Sequence, residues 1–116
     1  MRIRFYNTKR NTIPVIEFIG SLTKRDRARM LASLKTVEDM GLNSLRVKFR
    51  QIKNNLWEIK IQGADSSYRI FYVILHGNTM VLLHAYKKQS QKAPIKEIEI
   101  AEKRLLEVKE NEHNYT

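Results

Sequence analysis

The sequence predicts an α+β domain: a small antiparallel β-sheet with two N-terminal helices packed on one face and a C-terminal helix, all helices on the same side of the sheet. Three observations predict it. Apolar residues recur at helical spacing in two early segments and again near the end. Between Leu56 and Lys88 they alternate or run together at strand spacing. Within that stretch a Gly77-Asn78 pair signals a tight hairpin. A length of 116 residues suits one domain, 1–116, around a single modest core.

Taken in order, "IRFYN" reads as a short strand with Ile3 and Phe5 on one face and Arg4 on the other. In "IPVIEFIGSL", Pro14 suits a first helical position, and Val15, Phe18, Ile19 and Leu22 form one stripe. "TKRDRARMLASLKTVEDMG" is the clearest helix. Thr23 caps it with Asp26 three residues on, Met30, Leu31, Leu34 and Val37 form its buried side, and Gly41 ends it. "LWEIKIQG" alternates: Trp57, Ile59 and Ile61 face inward, and Glu58, Lys60 and Gln62 make a wet face. "YRIFYVIL" and "MVLLHAYKK" flank the hairpin as antiparallel strands. Pro94 opens a last helix whose inner face holds Ile98, Ala101, Leu105 and Val108, and "EHNYT" reads as a frayed tail.

Charge narrows the function classes. With 22 Lys+Arg against 12 Asp+Glu, the chain carries +10 at neutral pH. Residues 1–96 hold a net +13 and residues 97–116 a net −3, so a basic body bears an acidic C-terminal helix. Such a surplus favours a polyanionic partner. The absence of cysteine excludes disulfides and thiolate chemistry. "MRIRFYNTKR" lacks the apolar centre of a secretion signal, and "IFYVIL" is too short for a membrane span, so a cytoplasmic location is expected.

The cations fall into separate segments. Lys24, Arg25, Arg27 and Arg29 crowd a helix start, where the macrodipole disfavours cations by roughly 0.3–1 kcal/mol each. A solvated helix face or a phosphate contact accounts for them. In "RVKFRQIKNN", Arg46, Lys48 and Arg50 share one face, which reads as part of one cationic surface gathered by the sheet or as defence of an edge strand against aggregation. Neither reading explains Arg69, whose neighbours on its face are Phe71, Val73 and Leu75. A buried arginine needs a carboxylate, for which Glu58 on the preceding strand is the candidate, or a phosphate arriving from solvent.

In their order and spacing, "LWEIKI", "YRIFYV", the hairpin, "LLHAYKKQSQKAP" and "IKEIEIAEKR" resemble the RelE/ParE toxin superfamily, and within it the HigB-like, phage-derived branch of type II toxin–antitoxin systems. The resemblance implies a RelE-like fold and a ribosome-dependent mRNA interferase. Such an enzyme is a metal-independent endoribonuclease without a cofactor that cleaves translated mRNA by attack of the 2′-hydroxyl. It implies as partners a HigA-like helix-turn-helix antitoxin, the 70S ribosome and mRNA, with operator DNA met only through the antitoxin and no membrane. By position, it assigns Arg69, Lys60, Lys87, Lys88 and Glu58 to the catalytic set. Arg50, Lys53, Tyr86, Lys92, Arg25 and Arg29 form the RNA-binding set. One departure is Ala93-Pro94 where the branch has Thr-Pro, which removes a capping hydroxyl.

RNA cleavage of this kind needs the developing phosphorane charge neutralised, which falls to Arg69 assisted by Lys88. Glu58, Lys60 or Lys87 serves as base. His76 and His113 read as surface residues and His84 as a packed one. Tyr86 offers a ring for base stacking, worth roughly 1–3 kcal/mol. Two other readings stand beside the nuclease: a ParE-like inhibitor of gyrase on the same fold, and a non-catalytic basic module that binds nucleic acid.

Overall fold

The computed structural model describes residues 1–89 and 94–116. The described residues form β1 (Arg2–Phe5), α1 (Pro14–Gly20), α2 (Lys24–Met40), β2 (Lys48–Lys53), β3 (Leu56–Gln62), β4 (Ser67–Leu75), β5 (Thr79–Lys87) and α3 (Ile95–Glu110), with single 3-10 turns at Gly41–Asn43 and Glu112–Asn114. Among them no helix is long and apolar enough to cross a membrane.

Local chemistry accounts for the element ends. Pro14 occupies the first turn of α1, where its missing N–H costs nothing. The Thr23 hydroxyl accepts from the Asp26 N–H at 3.2 Å and caps α2, and Gly41, at φ 61°, ends it. The hairpin between β4 and β5 turns on His76 and Gly77, with φ of 53° and 74°, and Asn78 N–H returns to the Leu75 carbonyl. Leu75 lies opposite Thr79, so three residues make the loop, and its two positive φ values centre the turn one residue earlier than the Gly-Asn signal suggested.

The strands form one sheet in the order β1-β5-β4-β3-β2. The β2–β3, β3–β4 and β4–β5 pairs are antiparallel, whereas β1 lies parallel to β5. The sheet is therefore mixed rather than purely antiparallel. A parallel partner some seventy residues away leaves no trace in local patterning.

The sheet divides the interior into two apolar layers. On one face, Val15 and Ile19 of α1 and Met30, Leu34 and Val37 of α2 pack on Ile59, Ile61, Tyr68, Ile70, Tyr72, Met80 and Leu82. On the other, Ala101 and Val108 of α3 pack on Leu56, Phe71, Val73, Leu75, Val81, Leu83 and Tyr86. The helices thus cover both faces, not one. Because α3 covers the second face, β4 is buried on both sides and reads as a continuous apolar run. The expected wet face of β3 is divided: Glu58 is fully buried and Lys60 partly so, whereas Gln62 is exposed as expected.

Two smaller expectations change as well. Leu31, assigned to the buried side of α2, is 51% exposed, because the buried stripe runs through Asp26, Met30, Ser33, Leu34 and Val37 and leaves Leu31 at its margin. The tail is anchored rather than frayed: Tyr115 is buried and its hydroxyl accepts from the Asn7 N–H at 3.1 Å.

Candidate functional site

Strand register gathers the candidate residues. Lys48, Lys60, Arg69 and Tyr86 lie side by side on β2, β3, β4 and β5, forming one rung across the sheet. The next rung is Arg50, Glu58, Phe71 and His84. Ile59 and Ile70, between these rungs, pack towards α1 and α2, so by alternation both rungs belong to the α3 side. Lys88 extends the ladder by donating its N–H to the Ser67 carbonyl at 2.8 Å.

Glu58 occupies the centre, with no exposure. Its Oε1 lies 3.2 Å from Arg50 Nη2 and 3.8 Å from Arg69 Nε. These are charge contacts without the alignment of hydrogen bonds, and neither carboxylate oxygen gains an oriented donor among the described residues. A buried carboxylate with its acceptor capacity unspent is costly and marks a position held for a reason other than stability.

Arg69, its side chain 15% exposed, spends one donor on its neighbour's backbone: Nη1 donates to the Tyr68 carbonyl at 3.0 Å. That carbonyl belongs to a residue fixed from the other face. The Tyr68 hydroxyl donates to the buried carboxylate of Asp26, which also accepts from the N–H groups of Ala64 and Asp65. The Tyr68 hydrogen bond, opposed by burial and aided by those amides, holds the Asp26 carboxyl below the usual aspartate value. Gly63 leaves the room: a Cβ there would stand 2.7 Å from the Asp26 carboxylate. The loop joining the strands of Lys60 and Arg69 is thereby tied to α2.

The pocket's electrostatics are legible at Lys88. Burial lowers its ammonium below the ordinary lysine value, and the charges of Arg69, Arg50 and Lys60 lower it further against the opposing pull of Glu58. The charges that act on Lys88 are thus those of four residues of the two rungs, Arg69, Glu58, Arg50 and Lys60.

Aromatic rings adjoin this charged cluster. Phe71 stacks on Tyr86 at 5.6 Å, and His84 stands within 6.4 Å of both in nearly parallel planes. Tyr86 is only 7% exposed, so its ring is spent on this stack rather than offered to a base. Burial, then Glu58, push its hydroxyl up to about 12, which keeps the proton on. That hydroxyl has no hydrogen-bond partner among the described residues. His84 joins the rings to α3. Arg104 Nη1 approaches Nδ1 at 3.2 Å, and Glu97 Oε2 approaches Nε2 at 3.0 Å. Because guanidinium only donates, Nδ1 is the acceptor and Nε2–H donates to Glu97. Burial lowers the imidazole's pKa despite Glu97, in keeping with a neutral ring.

Not every expected residue joins this set. Lys87 is paired in register with Tyr68, of the α1/α2 layer, and lies on the opposite face. Arg25 and Arg29 are exposed on α2, also on that side. Lys53 Nζ makes an ion pair with Glu102 of α3 at 2.8 Å, away from Arg69. Lys92 and Ala93 lie outside the described residues. Conversely, Lys48 joins the rung, and Glu97 and Arg104 support the aromatic rings. The α3 pair carries no signal in sequence, because only the docking of α3 brings it to His84. Among the described residues no three His, Asp or Glu side chains gather as a metal site.

The chain matches the family model described as Phage derived protein Gp49-like (DUF891) over residues 17–106, about three quarters of its length. It belongs to that Gp49-like family. No curated protein matches the chain. The Gp49-like match runs from α1 into α3 and so includes every residue of the Glu58–Arg69 pocket.

Proposed function

We propose that this Gp49-like protein is the toxin of a type II toxin–antitoxin system and acts as a ribosome-dependent mRNA interferase. The observation that carries the reading is the convergence of Lys60, Arg69, Lys88 and Arg50 around the buried Glu58. Cations set in a partly dehydrated pocket suit an RNA phosphate, whose charge grows in the transition state.

In the proposed reaction, Arg69 binds the non-bridging oxygens of the scissile phosphate, with Lys60 beside it on the neighbouring strand. Glu58 takes the proton of the 2′-hydroxyl as that oxygen attacks phosphorus. The bond to the 5′-oxygen breaks, and Lys88, whose lowered pKa makes it a better acid than an ordinary lysine, returns a proton to the leaving oxygen. The products are a 2′,3′-cyclic phosphate and a 5′-hydroxyl, so the reaction needs neither metal nor cofactor. The Tyr86 hydroxyl, protonated and unpartnered among the described residues, supplies a further donor to the pocket. Lys87 is left out of the chemistry by its face of the sheet. A cognate HigA-like helix-turn-helix antitoxin and the 70S ribosome are the partners in this reading.

Mapping transcript 5′ ends after induction in bacteria tests the proposal. Cleavage in phase with codons of translated mRNA is the expected result. Linearised DNA with intact mRNA would instead identify a gyrase inhibitor, and neither change would leave a non-catalytic binding module. Glu58→Gln should stop cleavage while RNA binding persists. A fully active Glu58→Gln variant would remove Glu58 from the role of base.

A further inference from the structure

Two cations of the proposed site hang on one short piece of backbone. Arg69 Nη1 donates to the Tyr68 carbonyl at 3.0 Å, and the Lys88 N–H donates to the Ser67 carbonyl at 2.8 Å. Both attachments end on consecutive residues at the start of β4. Whatever fixes residues 67 and 68 therefore fixes the guanidinium and the root of the lysine together.

They are fixed from the far side of the sheet. Residues 63–66 join β3 to β4, and the loop closes with the Gly63 N–H on the Ser66 carbonyl at 2.8 Å. The buried carboxylate of Asp26, in the first turn of α2, accepts from the N–H groups of Ala64 and Asp65 in that loop. It also accepts from the Tyr68 hydroxyl just beyond the loop. Thr23, the cap of the same helix, donates its hydroxyl to the Asp65 carboxylate at 3.0 Å while accepting from the Asp26 N–H. Phe18 of α1 meets the Tyr68 ring edge-on, with centroids 6.0 Å apart. Packing thus holds the ring, and the hydrogen bond sets how far it reaches.

Stability alone is a weak reason for this arrangement. Replacing both partners of a buried hydrogen bond by apolar groups of the same shape is often nearly neutral. What the hydrogen bonds add is direction: an apolar contact tolerates sliding, whereas a bond to a carboxylate fixes distance and angle. We propose that Asp26 and the Tyr68 hydroxyl are positioning residues for RNA cleavage, acting through the backbone of β4 to set Arg69 and Lys88 against the same phosphate. The inference rests on the nuclease reading and extends that site to the opposite face of the sheet. Alternation makes the extension possible, since the Tyr68 side chain enters the α1 and α2 layer while its carbonyl serves the guanidinium on the α3 side. A displacement of about 1 Å at a reacting group lowers a rate by on the order of a hundredfold, so a small slip of this strand end is enough to matter.

The test compares Tyr68→Phe with Val37→Ala on ribosomes programmed with a defined mRNA. Tyr68→Phe removes the hydroxyl and keeps the ring, whereas Val37→Ala opens a void in the same apolar layer and leaves every one of these hydrogen bonds in place. Tyr68→Phe should lower kcat at least about tenfold with KM within about twofold, the split expected when orientation rather than binding is lost. Val37→Ala should keep the native kcat at temperatures where it is folded. Asp26→Asn should show the same split as Tyr68→Phe, and the double variant should be no slower than the slower single one, because both act through one link. Independently of activity, side-chain NMR relaxation should show the Arg69 Nε–H more mobile in Tyr68→Phe and as rigid as native in Val37→Ala. Native kcat in folded Tyr68→Phe and Asp26→Asn, an equal fall in Val37→Ala, or an unchanged Arg69 Nε–H would each overturn the proposal. Ribosome-bound mRNA left intact by the native chain would overturn the nuclease reading, and the positioning role with it. That outcome is told apart from the others because it is seen before any substitution is made.

Discussion

Arg69 sits in an apolar strand through two partial attachments, the Tyr68 carbonyl at 3.0 Å and the Glu58 carboxylate at 3.8 Å. Neither engages it as a bidentate fork would, so the guanidinium retains donors for a phosphate. Arg69→Ala should abolish growth arrest, with cleavage falling roughly a hundredfold or more, as for loss of one transition-state donor. Arg50 remains to neutralise Glu58, so the variant should melt cooperatively; an equally abundant, still toxic variant would make Arg69 purely structural. The sequence narrowed the candidates to Glu58 because few carboxylates precede residue 97, but it gave no hint that Arg50 shares it. A second residue-scale prediction concerns Asp26. Its folded carboxyl is held below the unfolded value, so at acidic pH the unfolded chain binds the proton first. The stabilisation is present above about pH 4 and lost as pH falls through the lower folded value. Thermal melts from about pH 5 to about pH 3 should fall less steeply in Asp26→Asn than in the native chain. Tyr68→Phe should cost roughly 1.5–3 kcal/mol, the range for a hydrogen bond to a charged group.

At the scale of elements, α3 was legible as a helix but not as the second face's cover. Its apolar stripe of Ile98, Ala101, Leu105 and Val108 is correct, yet nothing in that spacing says which face of the sheet it meets. The difference matters for His84, which read as a packed strand residue and turns out to join Glu97 and Arg104 of α3 to the aromatic rings. Because burial lowers its pKa, the unfolded histidine takes a proton before the folded one does. Stability from the neutral ring is therefore complete above about pH 6.5 and declines on acidification, when a protonated Nδ1 no longer accepts from Arg104. Protection of the α3 amides, taken relative to the intrinsic exchange rate, should fall as pH drops from about 7.5 to about 5.5 in the native chain. In His84→Gln, which has no proton to gain there, protection should not change with pH beyond the intrinsic exchange rate.

For the whole molecule, the charge surplus of +10 pointed to a polyanion from the start, but composition cannot say which cations act together. Register separates them: Lys60 lies in the rung with Arg69, and Lys87 on the opposite face. Single-stranded RNA binding measured against salt should tell them apart. Lys60→Ala should reduce the logarithmic salt slope by about 0.7, one phosphate's worth, whereas Lys87→Ala should leave it nearly unchanged. Equal effects from both would mean that RNA wraps the molecule rather than lying on the face of Glu58.

The strands and helices, the caps at Thr23 and Pro14 and the basic character of the body can be read from the chain alone, because they follow from composition and from spacings of a few residues. The chain also carried the marks of the phage-derived family, whose model spans residues 17–106. That β1 runs parallel to β5 and that α3 crosses to the second face is settled by the packed molecule. The same packing buries Glu58 between Arg50 and Arg69 and leaves an open cavity beside β1. The physical reason is range. Periodicity records which side of an element avoids water, whereas the choice of partner across a sheet rests on contacts between residues that lie far apart in the chain.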